Sequence, residues 1–198
     1  MTDPKGADRR VHAHRRGRIA PCEFPVGALL GTYRDAGAYT DCYAAELSRS
    51  VSQAEYVEAF YTTWVFKLER WVLAMCVAKP STDLQAQALA SGQADAFAAW
   101  SVEGRTGNQL LMCDFQRRTR SWLMSVPASG DAATGTRLYF GSAVVPAIHP
   151  QSERSTMGPV FRALLGFHKV YSRILLGAAM SRLRRARAGG PRETAGPE

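Results

Sequence analysis

The last third of the chain sets the strictest condition on its fold. From Pro159 to about Arg185 the residues run at helical spacing, with Arg162, Gly166, Lys169, Arg173 and Gly177 along one stripe. Val160, Leu164, Phe167, Tyr171, Ile174, Leu175 and Ala178 fall along another. At about 100° per residue this predicts a helix with a wide apolar side, and such a side must be buried against a broad surface. Pro159 suits a first helical turn and the arginines suit a last one, because proline has no amide to leave unpaired and cations favour the negative end of the dipole.

The surface has to come from the segments before it. "AYTDCYAAEL" places Tyr39, Asp41, Tyr43, Ala45 and Leu47 on one side of an extended chain and Thr40, Cys42, Ala44 and Glu46 on the other, which predicts a strand. The period then changes: Val57, Phe60, Tyr61, Trp64, Leu68, Trp71, Val72 and Met75 follow helical spacing, and Ser52 with Glu55 forms a capping box at the start. Pro80 ends this helix, Ser81 or Thr82 caps a shorter one through "DLQAQALA", and Gly92 closes it. From Phe97 to Val145 the apolar runs "FAAWSVEG", "LLMCDF", "SWLMSV" and "TRLYFGSAVV" are separated by turn residues, which predicts an antiparallel meander. The polar stretch from Pro146 to Pro159 fits a surface connection or a lid. The expected class is α+β, one antiparallel sheet against a long C-terminal helix.

Two passages carry a family resemblance. "GAYTDCYAAELSRSVSQAEYVEAFYTTWVFKLERWVLAMCV" and, later, "TRLYFGSAVVPA" followed by "FRALLGFHKVYSRILLGAA" resemble the opening and closing of bacterial domains in the START-like, polyketide-cyclase-like (SRPBCC) superfamily. The likeness runs from about Gly37 to Leu183 and rests on hydrophobic pattern. It implies a helix-grip fold over residues 22–183, with the curved sheet wrapped around the final helix and a pocket between them for a small apolar or aromatic molecule. The superfamily spans carriers, receptors and cyclases, so fold alone selects no activity.

Charge does not redirect this expectation. The formal charge is +8, but residues 1–18 hold six basic against two acidic side chains and residues 182–198 hold five against two. The body between them is nearly neutral, with 14 basic and 13 acidic side chains. Residues 1–21 and 184–198, rich in Arg, Gly, Ala and Pro, are expected to be disordered basic tails. Contact with nucleic acid is therefore expected only as weak, salt-dependent attraction through these tails. Cys22, Cys42, Cys76 and Cys113 lack zinc-ligand or disulfide-framework spacing, which fits isolated buried thiols in a reducing cytoplasm. No run reaches the ~20 apolar residues of a membrane span. Nucleotide, flavin, zinc-protease and hydrolase motifs are absent, and no metal or cofactor is expected.

Eight side chains are candidates to shape a ligand cavity. Trp64, Trp100, Trp122 and Phe167 are assigned as apolar walls, and Asp41, Asp114, Arg120 and Tyr171 as the polar groups that orient the guest. Asp114 shares a strand side with Leu110 and Met112, where an unpaired carboxylate would cost several kcal/mol, so it needs a cation such as Arg118 or Arg120 or a cluster of donors. Convergence of Asp41, Asp114 and Tyr171 would suit a cyclase or dehydratase in the same cavity, with no catalytic residue assignable beforehand. Leu111, Cys113 and Phe115 make the opposite side of that strand apolar too, which calls for a second cover, such as another copy of the chain. Attachment of the closing helix to a membrane surface is a further alternative.

Overall fold

The computed structural model describes residues 17–63, 82–128, 135–145 and 159–188, with side chains of the last segment described over 170–186. The chain order is β1 (Ala20–Pro21), α1 (Gly31–Asp35), β2 (Tyr39–Leu47), α2 (Gln53–Tyr61), α3 (Asp83–Ala90), β3 (Ala96–Phe97), β4 (Trp100–Thr106), β5 (Gln109–Asp114), β6 (Thr119–Pro127), β7 (Thr136–Val144) and α4 (Pro159–Ala188). The fold is α+β. Its seven strands form one curved, open antiparallel sheet in the order β1-β2-β7-β6-β5-β4-β3. The longest pairings join β2 to β7 and β7 to β6, in the middle of the order, while each edge is a strand of two residues. Pro80, Cys76, the 146–158 connection and the outer tails lie outside the described residues.

Local signals set the helix starts. Ser52 accepts the Glu55 amide at 3.1 Å while Glu55 accepts the Ser52 amide at 2.8 Å, so two amides that a helix start leaves unpaired are satisfied reciprocally. Thr82, rather than Ser81, caps α3 in the same way with Gln85. Gly92 follows α3 at φ 78°, a backbone shape that costs a glycine little.

One face of the sheet is covered by helices. Tyr43, Ala45, Leu47, Leu110, Met112, Leu123, Leu138 and Phe140 project there and pack with Tyr56, Val57, Phe60 and Tyr61 of α2 and with Leu175, Leu176, Ala179, Met180 and Leu183 of α4. The Tyr56 hydroxyl, wholly buried, donates to the Tyr139 carbonyl at 3.0 Å and so avoids the penalty of an unpaired polar group. The described part of α4 is turned relative to the expected stripe. Ser172 points inward at 0% exposure, whereas Ile174 is 46% exposed and Val170 57%. The turn has a cause in β2: Asp41 supplies an acceptor for the Ser172 hydroxyl at 3.4 Å, so that hydroxyl can be buried.

The opposite face is covered by the chain itself. Phe24, Ala28, Leu29, Leu30 and Tyr33, from residues 22–36, pack on Cys42, Ala44, Leu111, Trp122, Met124, Tyr139 and Ala143. This strap includes α1 and has no continuous helical or strand period. Gln109 pins it: its side-chain carbonyl accepts from the Leu29 amide and from Trp122 Nε1, both at 2.9 Å, and its amide donates to the Gly27 carbonyl at 3.1 Å. Gly141 makes the fit possible, because a Cβ there would stand 2.9 Å from Leu30, 3.0 Å from Trp122 and 3.0 Å from the Asp41 carbonyl. The second cover that the apolar strand requires is thus supplied within one chain.

The structured body is also longer at both ends than the expected 22–183. The Gly17 amide donates to the Glu46 carbonyl at 3.1 Å, β1 pairs with β2, and α4 continues to Ala188. Ile19 supplies an anchor, packing against the helix-face core. No helix among the described residues is long and apolar enough to cross a membrane.

Candidate binding cleft

The predicted site residues separate onto different parts of the sheet. Asp41, Trp100 and Tyr171 lie with the helix-face core, Trp100 and Tyr171 as partly buried members of its packing. Trp122 and Arg120 project to the back face. The pairing Leu110↔Leu123 and Leu111↔Trp122 decides this, since directly paired residues share a side. Trp122 therefore packs under Leu30 and Phe24 and is not a wall beside Trp100. The Trp64 side chain and the Phe167 and His168 side chains lie outside the described residues.

Of the partners expected for Asp114, a cation such as Arg118 or Arg120 or a cluster of donors, the structure supplies the donors, and Asp114 makes no ion pair with Arg120. Asp114 Oδ1 accepts the amides of Arg118 at 2.7 Å and Thr119 at 3.0 Å, closing the β5–β6 turn. A short chain bend presents amide donors more readily than it bends a long guanidinium back onto itself. Arg120, 7% exposed, pairs instead with Glu103 at 2.5 Å, donates from Nε to the Tyr33 hydroxyl at 2.8 Å and donates from Nη1 to the Arg117 carbonyl at 2.7 Å. Its guanidinium lies 4.7 Å from the Tyr33 ring centre. These contacts lock the α1 end of the strap.

Asp41 is likewise engaged. Its carboxylate accepts the Ser142 amide at 3.2 Å, the Ser142 hydroxyl and the Ser172 hydroxyl, which ties β2, β7 and α4 together. Nearby, the Tyr39 hydroxyl is buried without a hydrogen-bond partner, and burial followed by the Asp41 charge pushes its pKa up to about 12. Asp41 and Asp114 are separated by β7 and β6, roughly three strand spacings or ~14 Å. The two carboxylates do not converge, and no acid–base pair is assembled from them.

A cleft of about 380 Å³ wraps the β1–β2 edge beside α4. Ile19, Pro21, Ala44 and Ala45 supply its apolar lining. Arg18, Arg137 and Arg173 supply three cations against one carboxylate, Glu46. Glu46 pairs with Arg137 at 3.2 Å, and the Arg173 guanidinium lies 5.3 Å from the Tyr43 ring centre. The Arg137 Nε is buried and has no hydrogen-bond partner. Gly177 on α4 faces Ile19, whose Cδ1 would stand 3.4 Å, an ordinary van der Waals contact, from a Cβ there.

Sequence reasoning missed this cleft because it assigned Arg18 and Ile19 to the tail and read Arg137 only as a strand residue. Alternation of Arg18, Ala20 and Cys22 with Ile19 and Pro21 was the available signal, but only two residue pairs of strand form there. Among the described residues no group of three His, Cys, Asp or Glu side chains is placed to hold a metal ion. Comparison of the chain with protein-family models, with curated proteins and with solved structures finds no match in any of the three.

Proposed function

We infer that the protein binds a small hydrophobic molecule in the START-like manner, and that the β1–β2 edge cleft holds an acidic group on that molecule. The observation that carries this reading is the charge of the cleft, where Arg18, Arg137 and Arg173 stand beside Ile19, Pro21, Ala44 and Ala45 against the single carboxylate of Glu46. An anionic oxygen on the guest would meet this excess of cations with a charge-assisted bond. Arg18 and Arg173 add positive potential at the mouth. The cleft volume falls within the ordinary range for small-molecule sites, and its lining suits an apolar body with one anionic end. The placement of α4 across the helix face fits a helix-grip architecture, the fold in which ligands lie beside the closing helix.

Calorimetric titration with fatty acids and aromatic carboxylic acids, alongside their uncharged methyl esters, tests the reading. Acids are expected to bind saturably and esters at least tenfold more weakly, with Arg137→Gln removing most of the difference, because a hydrogen bond to a charged group contributes about 1.5–3 kcal/mol. Equal affinity for acids and esters, or no saturable binding of either, would overturn it.

A further inference from the structure

Cys22 and Cys42 are 20 residues apart in sequence, yet the sheet brings them face to face. Ala20 pairs with Ala44 and Pro21 with Tyr43, so the next step of the register sets Cys22 opposite Cys42. The Cys22 amide donates to the Cys42 carbonyl at 3.0 Å, and the two sulfurs stand 3.4 Å apart as free thiols. Facing residues of a hydrogen-bonded antiparallel pair have Cα atoms about 5.5 Å apart, inside the roughly 4.4–6.8 Å that a disulfide spans. Side-chain rotation can therefore close the bond with the strands in place.

The two thiols are not equivalent. Cys42 is buried, 5% exposed, whereas Cys22 is half-buried and lines the cleft. The hydrogen bond from Cys42 is the largest influence lowering the Cys22 pKa, and the nearby Arg137 charge adds to it. Its counterpart is held as a thiol, pushed up by the same hydrogen bond and by burial. A half-buried thiol at the opening, eased toward ionisation, and a buried thiol behind it are the parts of an attacking and a resolving cysteine.

We propose that Cys22 and Cys42 form a redox pair that reduces a hydroperoxide entering the cleft and closes as a disulfide between β1 and β2. Cys22 releases its proton to solvent and the thiolate attacks one peroxide oxygen; an S–O bond forms, the O–O bond breaks, and the departing oxyanion recovers that proton from solvent as it leaves. Cys22 is then a sulfenic acid. The Cys42 sulfur attacks the Cys22 sulfur, an S–S bond forms, the S–O bond breaks, and hydroxide leaves with the Cys42 proton as water. Two thiols lose two electrons and two protons, and hydrogen peroxide becomes two waters. The product fastens β1, which two residue pairs otherwise join to β2. The inference stands apart from the identity of any ligand in the cleft.

The test uses the reduced full chain, equimolar hydrogen peroxide, alkylation of remaining thiols and non-reducing peptide mass mapping. A Cys22–Cys42 linked peptide is expected as the main oxidised product, reversed by dithiothreitol, and this readout needs no substitution. Cys42→Ser is expected to stop at a Cys22 sulfenic acid captured by dimedone, and Cys22→Ser to slow peroxide consumption at least tenfold. Both cysteines remaining alkylatable after excess peroxide, or Cys76 or Cys113 oxidising first, would overturn the proposal.

Discussion

The two faces of the sheet are both apolar, but they are covered in different ways. The helix face lies under α2 and α4, which bring regular rows of large side chains and bury them in a continuous core. The back face lies under residues 22–36, an irregular strap that contributes fewer apolar groups and is held in register by side-chain hydrogen bonds from Gln109 and Arg120. A helical cover is secured by area, because burial energy scales with apolar surface and needs no exact partner. An irregular cover exposes its own amides and carbonyls, so it must be secured by satisfied polar contacts.

The sharpest way to expose this difference is to remove an area contact on one side and a polar contact on the other. Phe60→Ala empties a position 1% exposed in the helix-face core and is expected to cost about 3–5 kcal/mol in urea unfolding, through lost transfer energy and the cavity left behind. Gln109→Ala is expected to cost about 1–3 kcal/mol, because it strands the Trp122 indole N–H and the Leu29 amide. Its signature is local. Amide exchange should quicken over residues 22–36 while α2 keeps its protection. Uniformly faster exchange in both covers would break the comparison, showing that strap and helices open as one unit.

A smaller effect is expected at Tyr39, where the helix face carries an unpartnered hydroxyl. Tyr39→Phe removes that group and is expected to raise stability at neutral pH by roughly 1 kcal/mol. It also changes the alkaline limb. The folded-state phenol is raised from 10 to about 12, so the folded chain holds this proton more tightly than the unfolded one. Stability from this source is complete below pH 10 and is lost as pH rises from 10 through about 12. Thermal unfolding across that interval should fall less steeply in Tyr39→Phe than in the parent chain.

What the sequence made legible follows the same division. Strand alternation put Asp41 on the side of Tyr43 and Ala45, and the Ser52–Glu55 box and the Gly92 stop stand where residue chemistry puts them. The order of helices and strands from β2 onward followed from changes of period, whereas β1 and α1 did not. Parity within one strand does not say which side of the next strand it matches, however. That link is the register, and it separated Trp122 from Leu110 and Arg120 from Asp114. The strap stayed hidden because "PCEFPVGALLGTYRD" has neither period, and its hold on the sheet depends on Gln109, a polar residue on a strand with no local mark of that role. Cys22 and Cys42 were read as isolated thiols for the same reason: sequence distance carries no information about facing positions on paired strands.

The short outer strands have a consequence for life in a crowded solution. A sheet usually ends in rows of open amides and carbonyls on which a stray extended peptide can crystallise, layer upon layer. Here both borders stop after two residues, and Pro21 removes one of the few donors that remain. The borders formed by these two short strands therefore offer an incoming strand few positions on which to pair.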